Sequence, residues 1–189
     1  MLVRRLSLIV VSFVLLTVPA HAGLLERTQA EELVHAYMEA MTTEGLGAVG
    51  PYIDPEQLGQ LRDLLMPLFQ GEDASTQAQM LAIMFPGQEL SLGQLGSVAP
   101  DEWFSAFIRL LGVSGQPLPT VEGGRILGSV RETGELIHVV VRANTVIADT
   151  SISTIDVVPV RCRGGRCRIG LKADLLAAAQ AMSAAAGGR

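Results

Sequence analysis

Apolar residues recur along this chain with two different periods, and the period changes near residue 125. Between Thr28 and Thr43 they fall at Ala30, Leu33, Val34, Tyr37, Met38 and Met41. That spacing draws one apolar stripe on a helix, with Glu31, His35 and Glu39 off it. Thr28 and Glu31 have the spacing of a capping box, and Gly45 supplies a stop. Asp54-Pro55 places a capping side chain ahead of a proline suited to the first helical turn. The helix it opens carries Leu58, Leu61, Leu64, Leu65 and Leu68, and Pro67 kinks or ends it. A third helix is expected from about Asp73 to Met84, stopping at Phe85-Pro86-Gly87. Pro100 opens a fourth with Trp103, Phe104, Phe107, Ile108 and Leu111, and Gly112 closes it. Gly112 to Gly124, with Pro117 and Pro119, reads as a loop.

From Arg125 the alternation is every second residue. Ile126, Gly128 and Val130 lead to a turn at Thr133-Gly134. Ile137, Val139, Val141 and Ala143 share a face of the next strand, and Ala148-Asp149-Thr150 marks another turn. A strand from about Ile152 to Cys162 then meets Gly164-Gly165, which suits a two-residue hairpin turn because both positions need positive φ. The register that follows pairs Arg163 with Arg166, Cys162 with Cys167, Val160 with Ile169 and Val158 with Leu171. Helices followed by antiparallel strands predict an α+β protein. The N-terminal helices should pack on one face of a curved antiparallel sheet of about four strands. Residues 23–175 are expected to form a single domain, since either half alone is small for a core. The Ala-rich stretch 176–189 reads as a C-terminal helix or a frayed tail.

The N-terminus changes the picture of where the protein works. Arg4 and Arg5 precede an apolar run from Leu6 to Val18, and Ala20-His21-Ala22 supplies small residues before Gly23. That is the pattern of an export signal (residues 1–22) cut after Ala22, for a periplasmic or secreted protein. A retained span would need about 20 apolar residues, and this run stops short. No later stretch is apolar enough to span a bilayer. Losing Arg4 and Arg5 removes two of 14 basic side chains against 19 acidic ones, taking the formal charge from −5 to −7. A chain so negative is repelled by phosphates, which argues against nucleic acid as a partner.

Cys162 and Cys167 stand opposite each other in the predicted hairpin at a non-hydrogen-bonded pair, within disulfide reach. Export provides an oxidising setting for that bond. A zinc site would need further Cys or His ligands, and two buried thiols are the remaining alternative.

The stripe from Ala30 to Met41, the helix around Trp103 to Leu111 and the strands ending in Arg166-Cys167-Arg168-Ile169 resemble the NTF2-like superfamily (cystatin-like α+β, SnoaL/ketosteroid-isomerase-type). The resemblance rests on the order of elements and covers most of the mature chain. It implies a cone, in which a curved sheet wraps a long helix around a pocket. Some members are isomerases or cyclases, and many bind or dimerise without catalysis. Many relatives carry Gly-x-Trp-x-Val/Ile in the last strand, and Cys167 stands here where that Trp would be.

Candidate chemistry follows from these placements. Asp156 should share the inward face of Val158 and Val160, where an unpaired carboxylate resists ionisation. The resemblance to the steroid-isomerase-like branch makes Asp156 and Tyr37 the candidates for acid-base work; the alternative seats Asp156 at the sheet's open end, bonded to Thr154, a backbone amide or water. Tyr37, Met38, Met41, Trp103, Phe104 and Phe107, with Asp156, are the candidate pocket lining, though helical spacing also fits ordinary core. His35 and His138 lack a placed catalytic partner, and Arg161, Arg163, Arg166 and Arg168 crowd one hairpin face as a solvated edge or an anion site. No metal site, cofactor motif or catalytic signature is present in the sequence. The expected role is non-enzymatic binding of a small apolar ligand or a protein partner, with a small isomerase or hydratase and a homodimerising structural module as rivals.

Overall fold

The computed structural model describes residues 18–70, 73–115, 118–147 and 149–187. Most of the expected export signal lies outside them. Among the described residues no helix is long and apolar enough to cross a membrane. The described residues form five α-helices and four strands in the order α1 (Val18–Thr43), α2 (Pro55–Leu65), α3 (Ala74–Met84), α4 (Pro100–Val113), β1 (Thr120–Arg131), β2 (Leu136–Ile147), β3 (Thr150–Arg163), β4 (Arg166–Ile169) and α5 (Ala173–Gly187). Short 3₁₀ turns run at Leu46–Tyr52, Met66–Phe69 and Leu92–Ser97. The architecture is α+β, with an open antiparallel sheet in the order β1-β2-β3-β4.

Local chemistry sets most boundaries. Asp54 accepts a hydrogen bond from the Glu56 amide ahead of Pro55, and Asp73 does the same for Ser75 and Thr76. At Pro67 the α2 helix tightens into a 3₁₀ turn. Helix α1 departs from the expected start. It is already helical at Val18, so Thr28 is interior and its hydroxyl donates back to the Leu24 carbonyl, with no cap to make. Side chains of that first stretch reach the sheet: Arg131 pairs with Glu26, Arg27 donates to the Ser129 carbonyl, and the buried Ser129 hydroxyl donates to Glu31.

β1 begins at Thr120, inside the segment expected to be loop. Two glycines near its start disguise it: Gly123 and Gly124 stand beside a register shift, and pairing with Asn144 and Ala143 holds the strand. The hairpin turn has Gly164 at φ 56° and Gly165 at φ 76°, and pairs Arg163 with Arg166, Cys162 with Cys167 and Val160 with Ile169. The sulfurs of Cys162 and Cys167 are bonded, with Cα atoms 4.0 Å apart. The expected pairing of Val158 with Leu171 does not form. β4 ends at Ile169, where the Gly170 amide donates to Pro159, and the Leu171 amide leaves the sheet for Gln57 Oε1. On its other side Ile169 makes a parallel bridge to Ile53 and accepts from the Asp54 amide at 2.9 Å.

The core has two adjoining parts. α1 lies on the inner sheet face, burying Ala30 and Val34 against Ile137, Val139, Val141, Val158, Val160 and Ile169. The helical layer buries Leu58, Leu61 and Leu65 of α2 with Trp103, Phe104, Phe107 and Ile108 of α4, and Ala179 of α5 is fully buried there. Trp103 is wedged edge-to-face against Phe85 and Phe69, with ring centroids 5.3 and 6.2 Å away. The outer sheet face carries exposed Val130, Ile155 and Val157.

Candidate functional site

A cavity of about 220 Å³ opens between α1, the inner sheet face and the β4–α5 connection. The sheet makes room because one cross-strand row is built from small residues. Gly124 of β1 faces Ala143 of β2, which faces Thr154 of β3. Over this row α1 sets Tyr37, Met38 and Met41. Met38 settles beside Gly124, where a Cβ would collide with its terminal methyl and stand 2.6 Å from the Arg142 carbonyl oxygen. The closed end is apolar, made by buried Ile53, Phe104, Val141, Val158, Ile169 and Leu171. At the other end Pro119, Thr154 and Asp174 are exposed, and Thr145, Asp156 and Lys172 are half-buried. The site thus grades from dry to polar along its depth, the form that small-ligand pockets take.

Five of the expected lining residues come together here: Tyr37, Met38, Met41, Phe104 and Asp156. Trp103 and Phe107 do not. They are fully buried in the helical layer. The reason is angular: neighbours on a helix diverge by about 100°, so Phe104 can reach the cavity while Trp103 turns into the cluster with Phe69 and Phe85. The indole Nε1 of Trp103 finds no hydrogen-bond partner there among the described residues.

Asp156 is on the inward face of β3, but it is not an unpaired carboxylate among apolar neighbours. About 41% of its side chain is exposed, Lys172 pairs with Oδ2, and the Val157 amide donates to Oδ1 at 2.8 Å. Thr154, the expected partner, lines the mouth beside it. Tyr37 stacks edge-on against Tyr52 at 6.4 Å. Burial pushes its phenol up to about 12, and the charges of Asp156 and then Asp174 push in the same direction. At neutral pH this group therefore holds its proton and serves as a hydrogen-bonding hydroxyl.

Sequence reasoning missed Lys172 and Asp174, which join the mouth from the end of the chain. One signal was available: Lys172 is the single lysine in the sequence, three residues beyond β4. The small row of Gly124 and Ala143 was equally visible but needed the strand register to be read as a hollow.

The other candidates lie elsewhere. His138 is on the outer face with Nε2 2.6 Å from Glu132. His35 is exposed beside Glu39 and Arg125 in a shallower groove between α1 and β1. Arg163 pairs with Glu135, whereas Arg166 and Arg168 are exposed. Among the described residues no group of three or more His, Cys, Asp or Glu is placed to hold a metal ion. No family model matches the chain, and no curated protein or solved structure matches it either.

Proposed function

We propose that this chain is an exported, non-enzymatic binding protein of the NTF2-like type whose cavity holds a small apolar ligand. The observation that carries the reading is the cavity itself, an apolar hollow of about 220 Å³ with a polar mouth. An engineered apolar cavity of about 150 Å³ takes up benzene, so a hollow of this size has room for a ligand. The helix laid across the inner face of an open four-stranded sheet supports the comparison with the NTF2-like cone. The charged head, apolar run and Ala20-His21-Ala22 support export.

The rival acid-base reading loses ground on chemistry. Tyr37 keeps its proton far above neutral pH, and Asp156 is engaged by Lys172. Tyr37 is therefore not poised to exchange a proton near pH 7.

The test uses mature protein recovered from a periplasmic extract, with its N-terminus at Gly23. The environment-sensitive dye 1-N-phenylnaphthylamine should bind with saturable fluorescence. Ala143→Phe should abolish uptake by filling the hollow while circular dichroism stays that of the parent. Met41→Trp, which fills it from the opposite wall, should do the same. Undiminished uptake by both variants, or no uptake by the parent, would sink the reading.

A further inference from the structure

The charges at the mouth are unequal. Asp156 and Asp174 contribute two carboxylates, and Lys172 is the one cation among the described residues that line the cavity. Lys172 is already paired with Asp156. The Asp174 carboxylate accepts from the Leu175 amide at 2.9 Å and has no ion-pair partner among the described residues. The remaining polar groups of the rim are the hydroxyls of Tyr37, Thr145 and Thr154, each with oxygen lone pairs free to accept. An anionic head entering here would have to take Lys172 from Asp156 and leave that carboxylate uncompensated. A cationic head meets an unpaired carboxylate and hydroxyl acceptors at the edge of an apolar hollow that can take its hydrocarbon body.

We infer that the ligand is an apolar molecule bearing a cationic amine, its hydrocarbon body in the hollow and its ammonium between Asp174 and the Asp156–Lys172 pair. The shift of the Tyr37 phenol supports the same sign of field, since both aspartates raise it. This inference rests on the cavity's being a binding site, and it adds the head group that the site selects.

Three probes of one chain length separate the two claims: octylamine, octanol and octanoate, each titrated against the mature protein at pH 7.5 by displacement of bound 1-N-phenylnaphthylamine. Octylamine should bind at least about tenfold more tightly than octanol, the gain expected from one charge-assisted hydrogen bond. Octanoate should bind more weakly than either. Asp174→Asn keeps the amide contact to Leu175, because an Asn oxygen also accepts it. It should bring octylamine to within about threefold of octanol, the residue expected when a charged partner becomes neutral, with octanol affinity unchanged. Octanol or octanoate matching octylamine overturns the head-group inference and leaves the hollow as a binding site. Failure of all three probes and of the dye overturns both. An octylamine preference that survives in both Asp174→Asn and Asp156→Asn also overturns the inference, because the carboxylates would then not be the selecting groups.

Discussion

Tyr37 illustrates how a residue readable as a pocket candidate takes on its properties only from neighbours distant in sequence. The helical stripe places it on the buried side of α1, but the two aspartates that act on its phenol come from β3 and α5. With its value raised from 10.0 to about 12, the folded protein holds this proton in a range where the unfolded chain releases it. Folding is therefore favoured relative to the unfolded chain up to pH 10, and that advantage declines as pH rises toward 12. Ultraviolet titration of the Tyr52→Phe variant, in which Tyr37 is the remaining tyrosine, should give a phenolate midpoint near 12. A midpoint near 10.0 would mean the ring is solvated and the neighbouring carboxylates are without effect. Asp156 teaches a related lesson. Its face followed from strand alternation, but its partner did not, because Lys172 arrives from a segment that had been extended in error as strand.

Among the elements, β1 was the least legible. Thr120 to Gly124 reads as loop because glycine is a poor strand former, yet here the absence of a side chain is what the packing uses. Gly124 should therefore resist substitution. In Gly124→Ala the new methyl meets the Arg142 carbonyl oxygen at 2.6 Å, and a main-chain oxygen in a sheet ladder has little freedom to retreat. We expect a loss of about 2 kcal/mol, in the range of overpacked core positions. Gly123→Ala, with nothing within 4 Å of the added atom, should be close to neutral. Urea unfolding of the pair decides the matter, and equal midpoints would show that Met38 and β1 do not approach as described. The hairpin of β3 and β4, by contrast, was almost wholly legible, since Gly164-Gly165 fixes the turn and two-residue alternation fixes the rest. Its failure came where β4 stops, at a departure driven by Gln57, a contact no local pattern announces.

At the scale of the molecule, the two parts of the core adjoin at α1, whose Tyr37 packs against both. Ala30, Leu33 and Val34 of its stripe face the sheet, Met41 reaches the helical cluster, and the other helices pack among themselves. Residues 118–187 alone would leave Ile137, Val139 and Val160 facing water, and residues 23–115 alone would do the same to Ala30 and Val34. Separately expressed halves should show neither a cooperative thermal transition nor dispersed amide resonances, whereas mixing them should restore both. A cooperative transition in the isolated 118–187 fragment would contradict this. The α+β class and the helix-on-sheet arrangement were predictable because amphipathic periods survive in a single sequence. The division of aromatic residues between core and cavity was not, because it depends on the angle at which α4 meets its neighbours.

The clasp around Ile169 has a temporal consequence. The Leu171 amide and the Gln57 side chain that receives it are 114 positions apart, and Ile169, Leu171, Lys172, Asp174 and Leu175 all wall the chamber. A ligand of that chamber would be enclosed only once the chain has been delivered as far as Leu175. A chain cut short just past Cys167 would keep its long first helix and its disulfide cysteines, yet would have lost the door.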